Sequence, residues 1–326
     1  MTARRRPVLT LLASLVAVSA VVACVPASTG GPGAGPGTSP SAACPMFPAD
    51  HVWHAEVRGL PAHPRSAQWK ASIGGSDPLK ADFGSGQWAG GPIGIPYDVV
   101  RAGQPRVPVG FQYASESDPG PYPIPPGAAV EHGSDHHVLV VDESDCTLYE
   151  LFDAAKQQDG SWRAGSGARF DLRGYSLRPA GWTSADAAGL AILPGLVRYD
   201  EVASGRIDHP IRFTAQLTQR AYLWPARHFA SSSTDPNRPP MGAWFRLRPD
   251  FDTSGMAPQA RVIAEALKTH GMILADNGSD LYMSGAPDPR WDNAALRQLA
   301  AITTADFTAV DASSLMVHPD SGQVRR

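Results

Sequence analysis

The sequence predicts a mainly β protein, a single β-sandwich- or barrel-like domain with two short C-terminal helices. Glycine and proline are abundant, 32 and 31 of 326 residues, which favours short strands joined by many turns. Short apolar segments recur between turn residues, as in a sandwich or barrel. Hydrophobic residues make up 43% of the chain, enough for a core, and no linker divides residues 44–318. One β-rich globular domain is therefore expected there.

The N-terminus has the pattern of a secretion signal. A basic segment at residues 2–6 precedes an apolar run at 9–23 that is too short for a convincing membrane-spanning helix. The run ends Val-Val-Ala-Cys, which resembles the bacterial lipobox. That resemblance implies that residues 1–23 are removed and that Cys24 is diacylated and anchors the protein at the extracytoplasmic face of the cell membrane. The alternative is an ordinary signal peptide in which Cys24 is incidental.

Residues 24–43 consist, after the cysteine, almost only of Pro, Gly, Ser, Thr and Ala, which predicts a flexible tether. With Cys24 lipidated, Cys44 and Cys146 remain in an oxidising compartment. We expect a disulfide between them, closing a loop of about 100 residues. Two free buried thiols are the alternative. Residues 319–326 are expected to form a tail.

The charge balance limits the partners. Loss of the three N-terminal arginines leaves a mildly acidic chain without a basic stripe, which argues against nucleic acid. We expect a monomer that contacts the membrane through its lipid, with no cofactor and no metal. Common local signatures of hydrolases, metalloproteases, phosphate-binding loops and calcium-binding loops are missing from the sequence, which weakens those enzyme classes without excluding them.

The most apolar run of the mature chain lies in a predicted hairpin of residues 135–142 and 147–152. A two- or four-residue turn places Leu139 opposite Glu150, and His137 then shares a face with Glu150. A three-residue turn would shift this register and separate the two side chains. Adjacent positions on a strand face opposite ways, so His136 is expected on the other side.

His137 and Glu150 are the candidate proton-transfer pair. Burial would raise the pKa of Glu150, whereas a nearby imidazolium would lower it. An acid and a base so placed can transfer protons, with Asp135 orienting a histidine. The alternative is a satisfied core pair, or a glutamate at the rim of the sheet.

Several loop residues form a candidate carbohydrate-binding set, because sugars stack on aromatic rings and hydrogen-bond to neighbouring polar groups. The set comprises Trp182, Asp186, His228, Arg290 and Trp291. The alternatives are that the tryptophans fill the core and that Arg290 fixes its loop through a salt bridge to a neighbouring aspartate.

Other segments are predicted from periodicity. Strands are expected at 52–57, 107–113, 168–172, 207–214, 220–224 and 243–247. A second hairpin is expected from segments 272–276 and 279–283 around an Asn-Gly turn, with Leu274 opposite Leu281. The two helices are expected at 259–270 and at 293–302, the latter capped by Asp292.

Four longer segments look familiar together: GPIGIPY at 91–97, HVLVVD at 137–142, GWTSADAAGL at 181–190 and SGAPDPRWD at 284–292. They resemble a family of uncharacterised secreted bacterial proteins. The resemblance covers about residues 45–320 and implies one intact extracytoplasmic domain. It implies no activity and no catalytic residues.

Surface location, β-rich pattern and loop tryptophans beside acids together predict a lipid-anchored protein that binds or acts on polysaccharide. If it is an enzyme, it is expected to be a carbohydrate-active hydrolase or lyase. The other hypotheses are a non-catalytic glycan-binding module and a structural or assembly lipoprotein of the cell envelope.

Overall fold

Short strands form most of the regular structure in the computed structural model, which describes residues 44–325. The predicted signal peptide, Cys24 and the predicted tether lie outside the described residues. In the described part, the strands are β1 Lys80–Asp82, β2 Gln87–Trp88, β3 Gly91–Pro92, β4 Asp98–Val100, β5 Val109–Phe111, β6 Val138–Asp142, β7 Thr147–Phe152, β8 Ala155–Lys156, β9 Trp162–Ala164, β10 Ser166–Asp171, β11 Ile211–Ala215, β12 Trp244–Leu247, β13 Met272–Asn277, β14 Tyr282–Ser284 and β15 Phe307–Val310.

Helices are few and short. They are α1 Ser66–Ser72, α2 Tyr199–Ser204, α3 Pro258–Thr269 and α4 Asn293–Arg297, with single turns of 3-10 helix between other elements. The two predicted C-terminal helices are confirmed as α3 and as α4 with its 3-10 extension Gln298–Ala301. Asp292 caps α4 by accepting from the backbone N–H groups of Ala294 and Ala295. No helix among residues 44–325 is long and apolar enough to cross a membrane.

The strands form several separate sheets, which confirms a mainly β, sandwich-like domain. A six-stranded sheet has the order β1-β14-β11-β13-β12-β15, and a four-stranded sheet has the order β10-β7-β6-β4. A three-stranded sheet, β5-β9-β8, and the small β2–β3 hairpin complete the set. Within the described range these elements pack as one compact unit.

The central hairpin β6–β7 is confirmed with its predicted register. Leu139 pairs with Glu150 and Asp142 with Thr147, across a four-residue turn that ends at Cys146. Strand β6 is apolar from Val138 to Val141, and both of its faces are buried. Its residues alternate between the main core, shared with the six-stranded sheet, and a smaller core beneath the three-stranded sheet.

The disulfide between Cys44 and Cys146 is also confirmed, with the two Cα atoms 5.3 Å apart. It joins the first described residue to the turn of the central hairpin. The C-terminal residues predicted as a tail instead bond to the domain. Arg227 donates to Asp320, and the backbone of Gln323 pairs with that of His51.

The second predicted hairpin is wrong. Strands β13 and β14 are not neighbours, because β11 lies between them, parallel to β13 and antiparallel to β14. Phe213 of β11 therefore pairs with Leu274 on one side and Met283 on the other. Gly278 does not adopt the positive φ that a two-residue Asn-Gly turn requires.

Two other predicted strands are not formed. Residues 52–54 make a turn of 3-10 helix, and segment 220–224 contributes only the isolated bridge between Tyr222 and Met241. The apolar residues of segment 52–57 fill the core from irregular backbone, whereas in segment 220–224 Tyr222 and Trp224 are only partly buried against it and Leu223 is exposed. The strands expected at 107–113, 168–172, 207–214 and 243–247 correspond to β5, β10, β11 and β12.

Candidate functional site

A buried arginine lies at the centre of the polar interior. Arg212 of β11 is 5% exposed, and its guanidinium contacts three segments. Its Nε donates to Asp186 Oδ2 over 2.9 Å, Nη2 donates to Asp276 Oδ2 over 3.0 Å, and Nη1 donates to Ser284 Oγ over 2.6 Å. The order β14-β11-β13 makes this possible, because it puts Asp276 and Ser284 on the strands either side of Arg212.

Two acidic side chains, Asp186 and Asp276, share the single positive charge of Arg212. Burial and the negative charge of Asp186 together raise the pKa of Asp276 to about 7, against the opposing effect of Arg212. Burial likewise raises the pKa of Asp186. Asp186 is fully buried, whereas the Asp276 side chain is 20% exposed. One guanidinium between two acids leaves an excess negative charge, so a proton is held by this pair near neutral pH.

Beside this cluster, His137 is bonded through both ring nitrogens. Nδ1 lies 2.5 Å from Glu131 Oε2, and Nε2 lies 3.0 Å from the carbonyl oxygen of Ala185. Both partners are acceptors, so both nitrogens donate and the ring is an imidazolium. Burial lowers the pKa of His137, but the bond to Glu131 and its charge outweigh burial and leave the pKa raised. Burial raises the pKa of Glu131, and His137 reverses this to leave it lowered.

The carboxylate that orients His137 is therefore Glu131. The sequence had suggested Asp135 for this role. Asp135 is exposed, and its Oδ1 accepts from the Ser134 hydroxyl over 3.0 Å. His136 points away, as expected. Its φ of 46° turns the chain just before β6, and its Nδ1 lies 3.8 Å from Asp153.

A cavity of about 400 Å³ opens in front of these groups, and we call it the first cavity. Its acidic residues come from β1, β13 and the loop before β6, and it is also lined by aromatic and hydroxyl side chains. Its lining includes Asp82, Trp88, Glu131, His132, Asp135, His137, Arg212, Thr214, Asp276, Asn277, Ser279, Tyr282 and Ser284. Asp82 faces the cavity, and partial burial and the charge of Glu131 raise its pKa.

Trp88 is the most exposed large apolar side chain of the described residues, at 71%. It is presented by the β2–β3 hairpin, whose turn residues Ala89 and Gly90 have φ values of 50° and 101°, as a tight two-residue hairpin turn requires. His132 holds the hairpin through a 3.0 Å contact from Nε2 to the Ala89 carbonyl. Its ring packs on Gly91, where a Cβ would lie 2.0 Å from the ring carbon Cγ.

A second cavity, also about 400 Å³, adjoins the first. Its lining includes Tyr113, Glu116, Phe152, Thr183, Asp186, His228 and Asp276. Tyr113 is 48% exposed, and His228 is held by a 2.9 Å contact from Nδ1 to the Ala187 carbonyl. Asp276 lines both cavities, so the two meet at this residue.

Glu150 lies behind the cavities and does not line either one. It is fully buried, and its carboxylate accepts 2.9 Å hydrogen bonds from the backbone N–H groups of Ile192 and Leu193. Burial raises the pKa of Glu150 to about 7 despite these two bonds. The predicted face shared with His137 is present, but the two groups bond to different partners.

The predicted sugar-binding residues are dispersed. Asp186 and His228 line the second cavity, whereas Trp182 lies outside both cavities, half-buried beneath the guanidinium of Arg178. Trp291 is 3% exposed and fills the core, with its Nε1 donating to Ala286. Arg290 forms salt bridges with Asp288 and Asp200 and stacks on a tyrosine ring, which agrees with the loop-fixing alternative.

A larger cavity, about 610 Å³, lies elsewhere, next to the start of the domain and α3. Four of its charged residues neutralise one another in exposed pairs, Arg58 with Glu56 and Arg206 with Asp208, and Glu265 forms a salt bridge with Lys268. It contains none of the residues that the sequence singled out. The adjoining pair of cavities is therefore the candidate site.

Among residues 44–325, no group of three or more His, Cys, Asp or Glu side chains is arranged to hold a metal ion. Comparison with protein-family models, with curated proteins and with solved structures found no match to this chain. The chemistry of the site is therefore argued from its own residues.

Proposed function

We propose that this protein is a lipid-anchored extracytoplasmic protein that binds polysaccharide in the first cavity and acts on it there. The observation that carries the proposal is an exposed tryptophan, Trp88, at a cavity lined by carboxylates. Trp88 projects from a hairpin that is held in place, so its exposed indole is an available flat platform. A pyranose ring has an apolar face that stacks on such a platform.

The polar lining supports the same ligand. Carboxylates, hydroxyls and an amide surround the cavity, and sugar hydroxyls are donors and acceptors that match them. The cavity volume is within the usual range for small-ligand sites, and the opening allows a chain to extend beyond it.

The charge of the cavity supports a neutral or amino-bearing glycan. Four acidic side chains line it, and even with Asp276 protonated three carboxylates face the buried Arg212 and His137, each of which is already paired with an acid. The carboxylate of a uronic acid would meet like charge in a partly buried space. Uronate polymers are therefore expected to bind weakly or not at all.

An array of neutral, amino-bearing and uronate glycans, probed with the fluorescent domain and followed by reducing-end detection, tests the binding. Trp88→Ala is expected to weaken binding about 10-fold, since loss of an aromatic platform costs about 1–2 kcal/mol. Val317→Ala, an exposed apolar side chain outside both cavities, is the control. Unchanged binding by Trp88→Ala with loss in Trp182→Ala would move the site to the loop that the sequence suggested.

The location of the protein is tested separately. We infer from the sequence that Cys24 carries the lipid, so Cys24→Ala is expected to leave the membrane fraction and to lose incorporation of a clickable palmitate analogue. A chain that remains membrane-bound and unlabelled in both forms would refute the anchor.

A structural or assembly lipoprotein is the second candidate. It is favoured by the complete pairing of Arg212, since a fully satisfied buried cluster stabilises a fold without any ligand. It predicts no binding to any glycan class and no effect of Trp88→Ala beyond stability.

A further inference from the structure

We propose that the two cavities form one groove for a polysaccharide chain, and that Asp276, at their junction, donates the proton that cleaves a glycosidic bond. This inference rests on the proposed function and extends it to a hydrolytic reaction. Asp276 lines both cavities, and 20% of its side chain is exposed.

The groove has an aromatic side chain at each half. Trp88 borders the first cavity and Tyr113 the second, and both are exposed. An endo-acting glycosidase needs sugar-binding positions on both sides of the bond that it cleaves. A chain that stacks on both rings would pass the carboxyl group of Asp276.

The surroundings of Asp276 favour a carboxyl group that keeps its proton near neutral pH. Arg212 faces it from β11, but Arg212 is shared with Asp186, which faces it from the loop after β10. The backbone N–H of Asn277 donates to Oδ1 over 2.7 Å, and His137, directly before β6, adds a positive charge. Burial prevails over these opposing groups and raises the pKa of Asp276 to about 7.

A second carboxylate in the first cavity remains ionised. Glu131 is paired with the imidazolium of His137, which holds the pKa of Glu131 low. Two acids whose pKa values are moved apart are the usual requirement for acid and base roles in glycoside hydrolysis.

The reaction is then a balanced hydrolysis. Asp276 transfers its proton to the glycosidic oxygen, and the bond from that oxygen to the anomeric carbon breaks. A water molecule forms a new bond to the anomeric carbon and gives a proton to Glu131. Solvent then returns a proton to Asp276 and removes one from Glu131, so that one water is consumed and two hydroxyl ends are formed.

Reducing-end release from four soluble polysaccharides, a β-glucan, a mannan, a galactan and glycol chitin, tests the inference with the intact domain. Asp276→Asn is expected to bind within about 3-fold of the wild type and to release reducing ends at least 100-fold more slowly. The wild-type rate should fall as pH rises through about 7, as Asp276 loses its proton. The residual activity of Asp276→Asn should lack that pH limb.

Tyr113→Ala is the second variant, because this exposed residue can be changed without disturbing the buried cluster. It should fold normally and shift the length distribution of the products. An unchanged product pattern would overturn the two-cavity groove, and near-wild-type cleavage by Asp276→Asn would overturn the role of Asp276. Binding by the wild type without cleavage would overturn this inference while leaving the proposed binding function intact, whereas no binding at all would overturn both.

Discussion

Arg212 Nη2 donates to Asp276 Oδ2 over 3.0 Å, and this bond connects the two parallel strands β11 and β13. The same guanidinium reaches Asp186 in the loop after β10 and Ser284 on β14. A single side chain therefore joins the wall between the cavities to the centre of the larger sheet. The stability of the domain and the geometry of the candidate site depend on the same contacts.

Arg212→Met is expected to destabilise the domain by about 3–5 kcal/mol, because it leaves two buried carboxyl groups without their cation. The measurement is urea unfolding at pH 7.5. Arg290→Met is the matched control. Its side chain is 50% exposed, so loss of its two ion pairs should cost no more than about 1 kcal/mol. Equal losses in the two variants would contradict the structural role of Arg212.

Glu150→Gln is expected to change the pH dependence of stability. The pKa of Glu150 rises from 4.5 to about 7 on folding, so the native state binds its proton more tightly than the unfolded state does. Its contribution to stability is therefore fully present below pH 4.5 and is lost as pH rises to about 7, by on the order of 3 kcal/mol.

The free energy of unfolding measured in urea from pH 4 to 8 should show this decline in the wild type, and the difference between wild type and Glu150→Gln should isolate it. Parallel curves would exclude the effect. The Glu150→Gln variant also distinguishes the two proposals for which residue transfers the proton. Proton transfer by His137 and Glu150 requires loss of glycan turnover in Glu150→Gln, whereas a proton donated by Asp276 leaves turnover in place.

Removal of the disulfide is expected to destabilise the domain by about 4–5 kcal/mol, because the bond closes a loop across 102 residues of sequence. The double variant Cys44→Ala with Cys146→Ala is compared with the wild type by urea unfolding. Reductant should lower the stability of the wild type and leave the double variant unchanged. A double variant as stable as the oxidised wild type would contradict the prediction.

Gly91→Ala is expected to reduce glycan binding to about the level of Trp88→Ala. A Cβ at position 91 would lie 2.0 Å from Cγ of the His132 ring, so the hairpin that presents Trp88 must move relative to His132, which holds it. Gly127→Ala is the control, since nothing lies within 4 Å of its added Cβ. Titration with the array-selected glycan gives the dissociation constants. Normal binding by Gly91→Ala would show that the position of Trp88 is not critical.

Several features were predictable because they are local. Hairpin β6–β7 follows from its apolar run and its turn length, and α3 follows from helical spacing that ends at Gly271. In both cases neighbouring residues along the chain carry most of the information. The disulfide is not local, and its prediction followed from the cysteine count and the predicted extracytoplasmic location.

The second hairpin failed for the opposite reason. Segments 272–277 and 282–284 do lie in one sheet, but β11, about 60 residues earlier in the chain, occupies the position between them. A long-range pairing of this kind buries Phe213 against both neighbours. The free energy with which an Asn-Gly dipeptide favours a turn is small compared with that of burying Phe213, so the dipeptide did not decide the pairing.

The candidate site was predicted only in part from the sequence. His137, Asp186 and His228 were recognised, whereas Trp88 and Asp276 were missed. Arg212 was also missed, although a charged residue between Ile211 and Phe213 in an apolar strand signals a buried ion pair. Trp88 had a weaker signal, an aromatic residue directly before a turn.

The sequence by itself determined the mainly β class, the central hairpin with its register, the C-terminal helices and the disulfide. The tertiary structure alone decided which charges meet. Arg212, Asp186 and Asp276 come from three separate segments. The pairing of β11 with β13 puts Arg212 beside Asp276, and the loop after β10 brings Asp186 to them. Burial in that arrangement raises the pKa values of Asp186 and Asp276, because desolvation depends on what the whole fold places around a group.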